Sequence, residues 1–409
     1  MKFAHIADAH IGYQQYGMDE RFDDFGMAFE STIDDVIEWG ANFVVFAGDL
    51  FQKHSLPPAA LSQAVGPLEK LKKAGIPFIA VEGNHERASY SDRYSWLDYL
   101  VKRNLIVLLT TKFHDSIADV TAWDGSYGTY IDIGPVRVYG LQYMGTSTIN
   151  AVDALAPKIQ ALGHTGYTIF VTHAGLTQIM RGSAGVVPYT VLSQMREYVD
   201  YVALGHIHKP YERDGWAFSP GSLETCSIDE SQWPYRGYYR ADVNGKEHAV
   251  ELVQTKRRNF VVLRENISDI ETIENLTTFL LEKVCNEIEP VITITLTGLA
   301  HFNLYGAEWD NLRDTIKGAT KALLVRVKNE TVTKKDEIAF DSTRMTKQQI
   351  EDEYFLGAAG SMEEFAKMDP TIIAQSMREF MNLVLAKAKP ETIVAQLTAD
   401  LRAAEKKGA

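Results

Sequence analysis

The first 210 residues alternate short apolar runs with longer segments in which apolar residues recur every three or four positions. This alternation is typical of βαβ units, in which helices cover a sheet. The pattern predicts strands at residues 3–7, 43–47, 78–81, 169–172 and 201–203. It predicts helices at residues 22–39, 59–73, 94–102, 151–162 and 191–198.

Residues 130–254 add further strand patterns. Two apolar runs at 130–133 and 136–141 flank Gly134-Pro135, which predicts a hairpin. Strands at 237–243 and 249–254 are expected to complete the sheet. We therefore predict an α/β domain over residues 1–255.

The pattern changes after residue 255. Strands predicted at 259–263 and 291–296 surround a helix predicted at 273–285, so we expect a small α+β domain at residues 256–330. Residues 331–345 are polar and are expected to form a linker, and residues 346–409 return to helical spacing. This last region carries an apolar stripe formed by Ile373, Met377, Phe380, Met381, Val384 and Leu385.

Composition narrows the class of protein. Hydrophobic residues make up 45% of the 409 and charged residues 23%, which is typical of a globular protein. No run of roughly 18 apolar residues and no signal segment is found, so we expect a soluble cytoplasmic protein without a membrane partner. Cys226 and Cys285 have no metal-ligand spacing, and we expect them to be ordinary reduced residues.

The net charge of −13 at first argues against nucleic acid as a partner. The acidic excess, however, lies in residues 1–255, which hold 20 Lys and Arg against 30 Asp and Glu. A site built from carboxylates and filled with divalent cations gives this balance, because bound metals reverse the charge that a phosphate meets. The charge therefore leaves DNA open as a substrate.

Side chains that bind metals follow the predicted strands of the first domain. They are Asp8, His10, Asp49, Asn84, His85, His173, His206 and His208. Loops beyond the carboxyl ends of strands in an α/β sheet converge on a crevice, so these side chains are expected to meet there. Taken singly, each could be a turn residue or a hydrogen-bonded core histidine, but their shared position at strand ends favours a metal site.

The ligand types indicate the kind of metal. A mixture of imidazole, carboxylate and amide oxygen suits Mn²⁺, Fe²⁺ or Zn²⁺ and is poorly suited to Ca²⁺. Seven ligands, one fewer than the eight side chains named, are too many for one ion and appropriate for two, which could direct in-line attack on phosphorus.

Five short motifs carry a family resemblance: DAH (8–10), GDLF (48–51), GNHE (83–86), THAG (172–175) and GHIH (205–208). The set resembles the calcineurin-like metallophosphoesterases. With HIADAHIGY at the N-terminus and ALGHIHKPYE later, the chain resembles the meiotic-recombination-eleven type of DNA double-strand-break repair nuclease, in its archaeal form and more distantly the bacterial SbcD form. The resemblance is firm over residues 1–255, looser over the small domain, and positional for the terminal helices.

The resemblance implies a fold and a set of site residues. The fold is a layered sheet sandwich flanked by helices, with a small α+β capping domain and C-terminal helices. Two divalent ions, most often Mn²⁺, would share Asp49. One ion would also be held by Asp8, His10 and His208, and the other by Asn84, His173 and His206. His85 would be the catalytic residue that contacts the scissile phosphate without binding a metal.

One position departs from the family. Many members have a histidine directly after the phenylalanine of GDLF, where this chain has Gln52, while His54 lies two residues further on. The departure concerns the balance of exonuclease and endonuclease activity. Near the ligand loops, four basic residues are weak candidates for contacts with DNA phosphates: Arg87, Arg93, Arg181 and Lys209.

The resemblance also implies partners. These are DNA ends, an SMC-like ABC ATPase bound by the apolar stripe of residues 373–385, and a second copy in a homodimer. The helices at 59–73 and 94–102 correspond to the family's dimer-forming pair, although their apolar residues could equally pack on their own sheet. Two other functions stay open at this point: a phosphoesterase acting on small nucleotides or phosphoproteins, and a catalytically silent scaffold.

Overall fold

The computed structural model describes residues 1–87, 94–284, 289–302, 307–333, 346–361 and 369–407. The chain forms two compact units, Met1–Val261 and Val262–Ala409. The linker predicted at 331–345 falls mostly outside the described residues, as does Cys285. The domain boundaries at 255, 330 and 345 stay predictions.

The first unit contains the elements of the predicted α/β domain. Its strands are β1 (Lys2–Ile6), β2 (Phe43–Phe46), β3 (Phe78–Ala80), β4 (Val107–Leu108), β5 (Lys112–His114), β6 (Ile117–Asp119), β7 (Tyr130–Ile133), β8 (Val136–Leu141), β9 (Tyr167–Thr172), β10 (Gly175–Leu176), β11 (Val186–Val187), β12 (Tyr201–Leu204), β13 (Tyr211–Arg213), β14 (Ala217–Ser219), β15 (Gly237–Asn244) and β16 (Glu247–Gln254). Its α-helices are α1 (Asp19–Trp39), α2 (Pro58–Ala74), α3 (Trp96–Lys102), α4 (Thr148–Leu162) and α5 (Tyr189–Ser193). Short 3₁₀ helices lie at Gln15–Gly17, Gly145–Ser147 and Ile228–Gln232.

Two sheets form the centre of this unit. One has the strand order β16-β15-β1-β2-β3-β4 and the other β13-β14-β12-β9-β8-β7. Strands β1 to β4 run parallel, as do β8, β9, β12 and β14. The antiparallel partners β15 and β16 complete one sheet, and β7 and β13 lie at the edges of the other.

Alternation along each strand explains the layers. In β2, Val45 packs in the core between the two sheets, whereas Val44 and Phe46 pack under helices α1 to α3. Successive side chains of a strand point to opposite faces, so a strand buried on both faces is apolar throughout. Helices α4 and α5 cover the outer face of the second sheet. The predicted layered sandwich flanked by helices is confirmed.

The observed bounds of the five predicted helices differ from the predicted ones by one to five residues, most of all at the end of α5. Helix α3 begins at Trp96 because Ser95 caps it: the Ser95 hydroxyl accepts from the Asp98 amide, and the Asp98 carboxylate accepts from the Ser95 amide. Helix α5 ends at Ser193 rather than 198. Beyond Ser193 the chain continues in tighter turns. In one of them the Arg196 amide donates a hydrogen bond to the Ser193 carbonyl, three residues earlier.

The apolar stripes of α2 and α3 pack within the chain's own core. Leu68, Leu71, Leu97 and Leu100 are buried there. Four other apolar residues of the two helices are partly buried and pack against the same core: Leu61, Val65, Trp96 and Val101. These positions therefore need no second copy to explain their apolar character.

The second unit contains a three-stranded sheet with two helices, followed by a helical segment. Strands β17 (Phe260–Asn266), β18 (Val291–Ala300) and β19 (Leu324–Thr333) form its sheet, with helices α6 (Ile273–Val284) and α7 (Ala307–Thr320). Helices α8 (Lys347–Ser361), α9 (Pro370–Leu385) and α10 (Pro390–Lys407) follow. Among the described residues, no helix has both the length and the apolar character needed to cross a bilayer.

The two halves of the apolar stripe of α9 differ in burial. Ile373 is buried against Phe355, Ile372 and Met377, whereas Phe380 and Val384 are 43% and 49% exposed. Met381 is half-buried. The first half of the stripe therefore stabilises the helical segment itself, and the second half faces solvent within this unit.

Candidate metal centre

The predicted ligands lie at the carboxyl ends of parallel strands from both sheets. Asp8 and His10 follow β1, Asp49 follows β2, and Asn84 and His85 follow β3. From the second sheet, His173 follows β9, and His206 and His208 follow β12. The structure brings the two groups together, since the His10 and His208 Nε2 atoms are 3.0 Å apart and His173 Nε2 is 3.0 Å from Asn84 Oδ1.

The backbone at these positions is unusual. Asp8, His10, Asp49 and His206 all have positive φ, between 48° and 75°. Residues with a Cβ rarely adopt this region, and such strain gathers at functional sites. Backbone hydrogen bonds hold two of these turns, from the Asp8 amide to the Gly48 carbonyl and from the His10 amide to the Asp49 carbonyl.

Asp49 lies at the centre of the arrangement. Its Oδ2 is 3.2 Å from His173 Nε2 and 3.9 Å from His85 Nε2, and its Oδ1 accepts from the His85 amide. Asp49 belongs to two groups of potential ligands whose atoms lie within 4.8 Å of one another, one with Asp8 and His173 and one with His10 and His85. A single carboxylate is thus within reach of both parts of the site.

Each of three histidines is anchored through one ring nitrogen. His173 Nδ1 donates to the Ala47 carbonyl at 2.6 Å, and His206 Nε2 donates to the Ala184 carbonyl at 2.8 Å. His208 Nδ1 lies 2.7 Å from Glu230 Oε1. Because carbonyl oxygens only accept, the His173 and His206 rings, when neutral, keep their other nitrogen free of a proton. Metal-binding histidines are typically oriented in this way.

His10 and His208 form the other part of the site. Their Nε2 atoms face each other at 3.0 Å, and His10 Nδ1 is buried without a hydrogen-bond partner in the described parts of the chain. Because His208 Nδ1 faces the Glu230 carboxylate, the neutral His208 ring keeps its proton there and offers the lone pair of Nε2, which either the His10 N–H or a cation can take. The arrangement therefore fits a metal ion.

Burial and mutual charge set the protonation states. Burial raises the pKa of Asp8 to about 6 and lowers that of His10 to about 3. Burial also opposes the charged form of His173, but the Asp49 carboxylate outweighs it and raises the pKa of His173 to about 9. Without metal the His173–Asp49 pair is thus charged near neutral pH, and a metal ion would displace the His173 proton.

Two glycines allow these groups to approach. A Cβ on Gly83 would lie 2.1 Å from Asp49 Oδ1 and 2.4 Å from the Asp49 amide nitrogen. Gly48 has a φ of +89°, and a Cβ there would meet the His173 ring. Glycine is therefore required where the β2 and β3 loops pass each other.

His85 occupies the accessible side of the site. Its Nδ1 donates to the Gln52 backbone carbonyl at 2.7 Å, and its side chain is 33% exposed. The contact involves the Gln52 backbone, so it does not depend on the side chain at position 52. His54, Arg87, Arg181 and Lys209 are exposed, and Arg93 lies outside the described residues.

Two buried glutamates support the ligand loops, and neither is among the site residues predicted from the sequence. Glu86 accepts from the Phe51 and Gly83 amides, which ties the β2 loop to the β3 loop, and burial raises its pKa to about 8. Its place in Gly-Asn-His-Glu is a signal that could have revealed it. Glu230, the partner of His208, lies 22 residues away in a segment without a motif.

The sequence of the chain is similar to those of known proteins. The sequence profile described as calcineurin-like phosphoesterase matches residues 1–210. The DNA double-strand break repair protein Mre11 of Archaeoglobus fulgidus is 30% identical over 297 residues, which cover 70% of this chain and 65% of that protein. The chain thus spans just under two thirds of that relative.

Two further similarities differ in strength. The DNA double-strand break repair protein Mre11 of Sulfolobus acidocaldarius is 26% identical over 73% of this chain and 75% of that protein. A solved dimetal phosphatase from Danio rerio overlaps loosely, with a TM-score of 0.38, 12% identity, and coverage of 61% of this chain and 98% of that one.

Proposed function

The chain belongs to the calcineurin-like phosphoesterase family, and from this premise we propose that it is a manganese-dependent DNA exonuclease and endonuclease acting at double-strand breaks. The observation that carries the proposal is the meeting of metal-binding side chains from five strand ends, with Asp49 close to Asp8, His10 and His173. The DNA substrate is supported by similarity to archaeal relatives that are named for double-strand break repair.

We assign the ligands to two divalent ions that share Asp49. Asp8, His10 and His208 would complete one position, as the facing His10 and His208 nitrogens support. Asn84, His173 and His206 would complete the other, since Asn84 Oδ1 lies 3.0 Å from a nitrogen of each histidine. When bound, the ions would activate water and stabilise charge on the phosphate.

His85 is assigned to the substrate. Its Nδ1 is held by the Gln52 carbonyl, and its ring is partly exposed beside Asp49. An imidazole in this place can orient a phosphate or give a proton to the leaving oxygen. Unlike His173, which is fully buried, its side chain is 33% exposed.

The remaining regions are given supporting roles. We propose that residues 256–330 cap the nuclease domain and bind DNA, and that residues 346–409 bind an SMC-like ABC ATPase. The exposed Phe380 and Val384 support the second role. A homodimer and a cytoplasmic location are proposed on the same family grounds.

The test is hydrolysis of defined substrates by the purified chain with Mn²⁺. End-labelled duplex DNA, single-stranded DNA and a small phosphodiester should be compared, with Asp49→Ala as the inactive control. We expect cleavage of DNA, and DNA affinity that falls steeply as salt rises, because a few phosphate contacts carry it. Cleavage of the small diester without detectable DNA binding at low salt would instead support a small-substrate phosphoesterase, and no cleavage at all would support a scaffold.

A further inference from the structure

Cys226 lies beside the part of the site formed by His10 and His208. One ligand atom from each of these three residues lies within 4.8 Å of the other two. The thiol is buried and donates to the Glu224 carbonyl at 3.6 Å. The spacing of the two cysteines along the chain gives no sign of this position.

His10 provides an independent observation at the same place. The ring is only 1% exposed, yet its Nδ1 has no hydrogen-bond partner among the described residues. Its Nε2 faces the Nε2 of His208 at 3.0 Å. Two imidazoles and a thiol therefore lie around one buried point, and these are side chains of the kind that bind a divalent cation.

Glu230 fixes the geometry of this group. Its Oε1 holds His208 Nδ1, and its Oε2 accepts from the Cys226 amide at 2.9 Å. The buried Arg236 in turn holds Oε2 at 3.0 Å. One carboxylate thus positions both the imidazole and the segment that carries the thiol.

We propose that Cys226 is an additional ligand of the metal position formed by His10 and His208, and that its thiolate makes this position favour thiophilic ions such as Zn²⁺ and Co²⁺. This inference rests on the metal assignment in the proposed function. On binding, the sulfur–metal bond forms and the thiol proton leaves to solvent. Soft sulfur ligands favour Zn²⁺ over Mn²⁺, which is bound mainly through oxygen and nitrogen.

The experiment uses Co²⁺ as a spectroscopic probe of the full chain. Cys285→Ser leaves Cys226 as the single thiol, because the chain has two cysteines. With Co²⁺ bound, this protein should show visible ligand-field bands and a near-ultraviolet thiolate-to-cobalt charge-transfer band. The Cys226→Ser, Cys285→Ser protein should keep the ligand-field bands and lose the charge-transfer band.

Metal competition gives a second measurement. Replacing Cys226 with serine should weaken Zn²⁺ binding about tenfold or more and weaken Mn²⁺ binding much less. Ligand-field bands without a charge-transfer band in the Cys285→Ser protein would overturn the proposal and leave the two-metal assignment intact. Absence of both kinds of band, with a folded protein by circular dichroism, would overturn the metal assignment as well.

Discussion

Glu230 Oε1 lies 2.7 Å from His208 Nδ1 and so determines which nitrogen of that ring faces the metal centre. Burial would raise the pKa of Glu230, but the His208 hydrogen bond and charge lower it to about 2. The carboxylate is therefore anionic at neutral pH. An anionic partner orients the ring and makes its free nitrogen a better ligand.

Glu230→Gln should reduce metal affinity by about 10–100-fold, because the amide lacks the charge that orients His208. Equilibrium dialysis with Mn²⁺, at a temperature at which circular dichroism shows the variant folded, is the measurement. Asp229→Asn is the matched control, since Asp229 is the exposed neighbour in the same short helix. Unchanged affinity in the Glu230 variant would mean that the His10 and Cys226 side of the site holds His208 in place without it.

His85→Ser should lower phosphodiester hydrolysis by roughly 10²–10⁴-fold while both metal positions stay filled. The reason is that His85 is anchored by the Gln52 carbonyl on the accessible side of the site and is assigned to the phosphate. Asp49→Ala should lose metal, because Asp49 lies between both positions. Metal content and rate are to be measured on both purified proteins. Loss of metal from the His85 variant would contradict this division of roles.

Gly83→Ala should lower the free energy of unfolding by about 1–3 kcal/mol and impair metal binding. The added Cβ would meet the Asp49 amide nitrogen and carboxylate, and backbone cannot give way cheaply. Gly318→Ala is the control: it lies in α7, and nothing lies within 4 Å of its added Cβ. The control should gain about 0.5–1 kcal/mol from helix propensity. Denaturant unfolding with a metal titration checks both, and a Gly83 variant as stable as the parent would show that the two loops can separate.

The strand-end positions of the ligands could be predicted because they depend on local sequence. Apolar runs such as residues 43–46 define strands, and polar residues at their carboxyl ends, such as Asp49, are forced to one edge. The same logic predicted the sandwich, since strands apolar at every position must be covered on both faces.

Contacts between distant segments could not be predicted in this way. Glu230 and Cys226 reach His208 through a turn that has no periodic pattern, and their roles depend on the Arg236 contact that holds them. Likewise, the α9 stripe has one spacing throughout, but only the packing of α8 decides that Ile373 is covered and Phe380 is not. Periodicity identifies an apolar face without identifying what covers it.

Helix α9 therefore permits a sharper test of the ATPase partner than the stripe alone. Ile373 is 2% exposed and packs against Phe355, whereas Phe380 and Val384 are about half exposed in the second unit. A charge placed at position 373 is therefore buried within this chain. A charge placed at position 380 or 384 stays at the surface of the second unit.

Phe380→Glu with Val384→Glu should abolish co-purification with the ATPase, because the charges would enter the partner's apolar groove. The same variant should keep its melting temperature and its manganese-dependent cleavage of simple DNA. Ile373→Glu is the matched control and should instead destabilise the helical segment, on the order of 3 kcal/mol, since it buries an unpaired carboxylate between α8 and α9. Pull-down with the ATPase and thermal unfolding of both variants separate the two effects. If the Phe380 and Val384 variant lowered the melting temperature and still bound the ATPase, the exposed half of the stripe would be packing inside the chain, and the partner would bind elsewhere.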